Sequence, residues 1–198
     1  MNRKQLIDDL QQSFNSFDIP EEEFNILESM LIPEVFKKKE FLAVEGNPAD
    51  KVAFVLSGLF RAYYITETGD EKTIVFRGRG NIISSYNSYI KNKDSKFSIQ
   101  ALEDSTVLYI TVKNFETLLS SDSFLQINAG KYYMNLYAAK ENRERDLLSD
   151  SAEKKYKKFL IEYPGLESRI NQYYIASYLG ITDVSLSRIR SKLSNQET

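Results

Sequence analysis

The sequence predicts an α+β chain: an N-terminal antiparallel β domain with flanking helices, one long helix, and a C-terminal set of short helices. Three observations predict it. Between about residues 33 and 112, short runs rich in Val, Ile, Phe and Tyr are punctuated by turn residues with no helical stretch among them. From Asp122 to about Leu148 a long run holds no proline and one glycine, Gly130. Last, Gln172–Ser194 (QYYIASYLGITDVSLSRIRSKLS) reads as two short helices joined at a glycine corner.

Composition narrows the chemistry. The 198 residues are 42% apolar, enough for a real core. There is no cysteine, which excludes disulfides, thiolate metal sites and iron–sulfur clusters. There is no histidine either, so the commonest general base and transition-metal ligand is missing. No run of about 18 apolar residues exists, and the amphipathic start MNRKQLIDDLQQSF has no apolar h-region, so a soluble cytoplasmic chain is expected. The net charge is −2, but from Asp150 onward eight Lys/Arg face six Asp/Glu, a mildly basic tail on an acidic body.

Taken in order, residues 2 to about 14 form an amphipathic helix with Leu6, Ile7 and Leu10 on one side. Pro20 opens a second, where proline is tolerated and Glu21, Glu22 and Glu23 suit the positive helix start; Phe24, Leu27 and Leu31 are its apolar stripe. From Val35 the pattern alternates, with Ser57-Gly58 and Thr68-Gly69-Asp70 as turns. Strands at such spacing imply an antiparallel sandwich or barrel rather than a parallel sheet. Phe115–Leu119 reads as a single helical turn. The long helix follows, with Leu125, Ala129, Tyr132, Tyr133, Leu136, Ala139, Arg143 and Leu147 as its inner stripe. Some 27 residues of helix span about 40 Å, too long for either neighbour to cover, so pairing with a second copy through Leu125, Ala129, Tyr132, Tyr133, Leu136 and Arg143 is expected. Ser149-Asp150-Ser151 breaks that helix and caps the next, AEKKYKKFLIEYPG, whose apolar face is Tyr156, Phe159, Leu160 and Tyr163. Its lysines 154, 155, 157 and 158 suit either DNA phosphates or a solvated face. The domains expected are 1–121, 122–149 and 150–198.

The last stretch is the most informative. Ile175, Ala176 and Leu179 face inward, and Ala176 is small enough to let a crossing helix come close. Gly180 takes the left-handed corner. Thr182 caps the second helix, whose Leu186, Ile189 and Leu193 turn inward at i, i+3 and i+7. The opposite face carries Asp183, Ser185, Ser187, Arg188, Arg190 and Lys192. That is the helix-turn-helix pattern, whose second helix enters the DNA major groove.

The stretches EGNPADKVAFVLSGLFRAYYI, ALEDSTVLYITVKNFETLL and YYIASYLGITDVSLSRIRSKL together resemble the Crp/Fnr family of bacterial transcription regulators, in particular its small members common in the Bacteroidetes. The resemblance covers nearly the whole chain. It implies a cyclic-nucleotide-binding-like β-roll, a long dimerisation helix and a winged helix-turn-helix-type domain, acting on double-stranded DNA as a homodimer with a contact to RNA polymerase. Cyclic-nucleotide-binding relatives carry a Gly-Glu pair and a later Arg-Ser pair. Here Ser84-Ser85 stands near the first and Lys96-Phe97-Ser98 near the second, and no arginine lies between Arg79 and Arg143. A lone lysine is a poorer partner for a cyclic phosphate, so cyclic AMP is not the expected effector. An effector pocket, if the roll keeps one, falls near Ser84, Ser85, Tyr86, Lys96 and Ser98; a roll filled by its own aromatics is the alternative. Haem and iron–sulfur cofactors are excluded by the missing ligands.

On the DNA side, the resemblance places Arg188 against guanine. Thr182, Asp183, Ser185, Ser187 and Lys192 lie along the same helix, and Gln172 and Tyr173 are placed at phosphates. Asp183 serves either a cytosine amine or the helix dipole. The family's frequent Arg-Glu pair is Asp183-Val184 here. Two other readings compete. A cupin-like enzyme lacks the histidines it would need for metal, and a scaffold that regulates a protein partner leaves the helix-turn-helix without a use.

Overall fold

A computed structural model describes residues 2–13, 19–85, 88, 93–121 and 123–195. The chain forms two compact units, Met1–Tyr64 with Ile74–Tyr132, and Ile65–Thr73 with Tyr133–Thr198.

The first unit opens with α1 (Arg3–Ser13) and α2 (Glu21–Met30). Leu6, Ile7, Leu10, Phe24 and Leu27 are buried as their spacing predicts, and Leu31 is buried just past the end of α2. Eight strands follow: β1 (Ile32–Phe36), β2 (Phe41–Ala43), β3 (Lys51–Ser57), β4 (Leu59–Ile65), β5 (Glu71–Gly78), β6 (Ile82–Ser84), β7 (Ser98–Ala101) and β8 (Ser105–Thr111). They form two four-stranded sheets, β1-β8-β3-β6 and β2-β7-β4-β5. β3 lies between β8 and β6, antiparallel to both, with Val52 opposite Ile110 and Ser84. Successive side chains of a strand point to opposite faces, and both faces of β3 are covered. Val52, Phe54 and Leu56 join α1, α2 and Leu108 and Ile110 in one core. Ala53 and Val55 join Phe60, Ala62, Ile99, Ala101 and Val107 in the other, inside the roll. This is why KVAFVLS is apolar almost throughout rather than alternating.

Gly58 turns β3 into β4 with φ +85°, and a Cβ there would lie 2.6 Å from the Cα of Ser105. The position therefore needs glycine for both conformation and space. The single turn expected at Phe115–Leu119 is the full helix α3 (Val112–Ser121), which begins directly where β8 stops and buries Leu118. The long helix α4 runs from Ser123 to Ser149, 27 residues as expected.

In the second unit, Ser151 caps α5 (Ala152–Glu162) by accepting from the Lys154 N–H. Tyr156 and Phe159 are buried with Leu166 of a short 3-10 turn (Leu166–Ser168). Then come α6 (Gln172–Leu179) and α7 (Asp183–Ser194). Among the described residues no strand follows β8, and this unit's C-terminal part is helical, as the expected helix-turn-helix-type domain requires.

Candidate nucleic-acid interface and effector cradle

The corner between α6 and α7 is built as the sequence demands. Gly180 adopts φ 66°, ψ 35°, and its N–H and that of Ile181 close onto the last turn of α6. The Thr182 Oγ1 accepts from the Ser185 N–H at 3.2 Å, and the two hydroxyls share a hydrogen bond of 2.9 Å. Ala176 and Leu186 are fully covered between the two helices. Asp183, Ser187, Arg188 and Lys192 are exposed along α7, Thr182 and Gln172 are exposed at the helix starts, and Tyr173 is 38% exposed. Ser185 is half-covered, tied to the cap. Asn171, which the sequence reading passed over, caps α6 by accepting from the Tyr173 N–H at 2.9 Å. Its signal was there: an Asn directly before the first helical residue.

Helix α6 is held from two sides. The Ser177 hydroxyl donates to the Glu71 carbonyl at 2.6 Å and accepts from the Thr73 N–H at 2.9 Å, both in the 65–73 segment of the same unit. On another side, Arg143 lies 3.5 Å from the centre of the Tyr178 ring and donates to the Tyr178 carbonyl at 2.6 Å. That carbonyl is in the last turn of α6, where the helix leaves acceptors without internal donors. The Tyr178 hydroxyl donates to Glu162 at 2.9 Å, and burial, with Tyr163 close by, pushes the phenol far up.

Three of the four lysines of α5 are engaged with carboxylates. Lys154 meets Asp150 at 2.6 Å, Lys158 meets Asp146 and Asp150 at 2.7 Å each, and Lys157 meets Glu153 at 2.8 Å. Lys192 of α7 reaches the other oxygen of Glu153 at 2.7 Å. Hydrogen bonds from Lys157 and Lys192 draw the Glu153 carboxyl down to about 2. Lys192, expected at DNA, thus also ties α7 to α5.

Part of the expected dimer stripe is used within the chain. Leu125 is a member of the first unit's core, packed among Leu118, Leu108 and Ile110 rather than offered to a second copy. Tyr132 is largely buried, and that burial raises its hydroxyl, with Arg77 and the Ile82 N–H beside it. Arg143 is spent on Tyr178. Ala129, Tyr133 and Leu136 are half-covered by their own chain. Leu147 of the expected stripe is 39% exposed, and a second set of exposed apolar residues on α4 is Ile127, Met134, Tyr137 and Leu148, at 57%, 67%, 65% and 82%. Intervals of seven, three and eleven residues set these four along one side of a helix, away from Leu136, Arg143 and Leu147.

In the roll, Ser85 and Ser98 are 2% and 4% exposed. Ser85 Oγ shares a 2.7 Å hydrogen bond with Ser95 Oγ, which donates to the Phe97 carbonyl at 2.6 Å. Ser98 Oγ accepts from the Glu45 N–H at 3.0 Å. These two hydroxyls close the loop before β7 onto the roll. Ser84 is half-buried opposite Val52, and Lys96 is exposed. Tyr86 lies outside the described residues. A buried guanidinium that sequence reasoning missed sits on β4: Arg61 stacks 3.9 Å from the centre of the Tyr63 ring and donates to Gln100 at 3.0 Å. Its signal was a lone arginine in the middle of an apolar strand. Among the described residues no three His, Cys, Asp or Glu side chains gather to hold a metal ion, and no helix is long and apolar enough to cross a membrane.

Residues 33–122 match the cyclic nucleotide-binding domain family. That match spans residues 33–122 alone; over most of its length the chain has the fold of solved Crp/Fnr regulators. FixK2 from Bradyrhizobium japonicum is 20% identical, with 84% of this chain and 86% of that one covered at a TM-score of 0.74. CLP, the c-di-GMP responsive global regulator of Xanthomonas campestris, is 12% identical over 90% of this chain and 93% of that one, at 0.73. A protein from Eubacterium rectale assigned to the Crp/Fnr family of transcriptional regulators is 16% identical over 90% and 85%, at 0.71. No curated protein sequence matches the chain.

Proposed function

We propose that the chain is a homodimeric, sequence-specific DNA-binding transcription regulator of the Crp/Fnr type, working in the cytoplasm. One observation carries the reading: α7 starts at a capped Thr182, buries Leu186, and leaves Asp183, Ser187 and Arg188 standing in solvent with no packing role. Polar side chains on the first turns of such a helix are the ones that reach base edges in the major groove. The second copy docks through the Ile127, Met134, Tyr137 and Leu148 side of α4. A contact with RNA polymerase belongs to the reading through the family likeness alone.

The roll does not take cyclic AMP. The sequence supplies no arginine in the loop before β7, and the Ser85 and Ser98 hydroxyls are occupied within the chain. Arg188→Ala is expected to weaken binding to a preferred duplex by about 1–3 kcal/mol while leaving random DNA almost unaffected. Fluorescence anisotropy on both duplexes reads the difference. Equal loss on both would remove Arg188 from base readout, and no preference for any duplex would end the reading.

A further inference from the structure

Val184 is 60% exposed in the first turn of α7, on the helix's polar side. The polar neighbours there have partners in water, but an exposed branched side chain gains nothing in the free chain and loses rotamer freedom in a helix. It cannot donate or accept a hydrogen bond, so it can recognise only an apolar feature. The major groove offers one, the 5-methyl group of thymine. Arg188 is four residues on and equally outward, so the two side chains share a face and stand about 6 Å apart along the axis. That is about two base-pair steps of 3.4 Å.

We propose that Val184 is a specificity-determining residue that packs against the 5-methyl group of a thymine in each half-site, about two base pairs from the guanine met by Arg188. The assignment rests on the DNA-binding reading above. It also assigns Asp183 away from that base pair: its carboxylate stays at the helix start, beside the free N–H groups of the first turn.

The test uses the full-length chain and a duplex selected by it from random DNA. Each thymine of the half-site is replaced in turn by deoxyuridine, which removes only the methyl group. At one thymine per half-site, near the Arg188 guanine, affinity is expected to fall about fourfold, the factor that corresponds to roughly 0.8 kcal/mol for one buried methyl-sized group. Val184→Ser should bind the thymine duplex about fourfold more weakly for each half-site and make no distinction between thymine and deoxyuridine, with its helix content unchanged by circular dichroism. Val184→Ile should keep the distinction. Specific binding with no deoxyuridine effect at any position, or a Val184→Ser protein that still discriminates, overturns this assignment alone. A failure to select any duplex overturns the DNA-binding reading as well.

Discussion

Arg143 offers a sharp perturbation, because two explanations of it lead to different experiments. Its spacing along α4 suggested a subunit contact, whereas its guanidinium stacks 3.5 Å from the centre of the Tyr178 ring and donates to the Tyr178 carbonyl at 2.6 Å. Arg143→Ala removes both interactions and leaves a carbonyl at the end of α6 without its donor. A hydrogen bond from a charged group is worth about 1.5–3 kcal/mol and a partly shielded cation–π contact about 0.5–2 kcal/mol. One side chain serves both, so the two do not add fully, and a loss of about 2–3 kcal/mol is expected. Arg143→Lys keeps a cation near the negative end of α6 and should recover about 1 kcal/mol. Urea denaturation followed by circular dichroism measures the loss, run at two protein concentrations at least tenfold apart. The chain has no tryptophan, so its 13 tyrosines supply a second, fluorescence signal. A loss below about 0.5 kcal/mol, or one that shrinks as the protein is diluted, would refute the intramolecular role and return Arg143 to a subunit interface.

Three further outcomes are expected. Gly58→Ala should destabilise the first unit by more than about 2 kcal/mol in a thermal melt, since the new Cβ would lie 2.6 Å from Ser105 Cα at a left-handed backbone position. Glu153 is held near 2 by Lys157 and Lys192, below its unfolded value of 4.5, so its contribution is present above pH 4.5 and lost as pH falls toward 2. Glu153→Gln should flatten that part of the stability–pH curve, and 1 M salt should flatten it in the unmutated chain, because the pairs are exposed. Met134→Glu should shift the chain from dimer to monomer in sedimentation without loss of helix, since Met134 is 67% exposed and touches no core; an unchanged dimer would move the pairing surface elsewhere.

Much of this was legible in the sequence, where the local signals are strong. The capped start at Thr182, the Gly180 corner and the buried Ile175, Ala176, Leu179 and Leu186 follow from residue chemistry within a few positions. The 27-residue length of α4 follows from the absence of proline. Which side of α4 faces home did not, because Leu125, Tyr132 and Leu136 form one apolar stripe and Ile127, Met134 and Tyr137 form another. Only the position of the roll core decides that Leu125 goes inward. Helix α3 is longer than its sequence signal, because Val112 and Ser120-Ser121 are weak helix formers at its ends. The resemblance points to Ser84-Ser85 and Lys96–Ser98 by position alone, and a sequence does not reveal that Ser85 finds Ser95, or Ser98 the Glu45 N–H 53 residues away. The Ser177 bridge to Glu71 and Thr73 spans more than 100 residues and has no local signature.

The outward face of α7 is the centre of this account, and selection of duplexes from a random pool by the full-length chain tests it most directly. The expected result is a two-fold symmetric motif whose half-sites each contain a guanine, lost when Arg188 is replaced by alanine. A selected pool no different from the starting one, or one unchanged by Arg188→Ala, would contradict it.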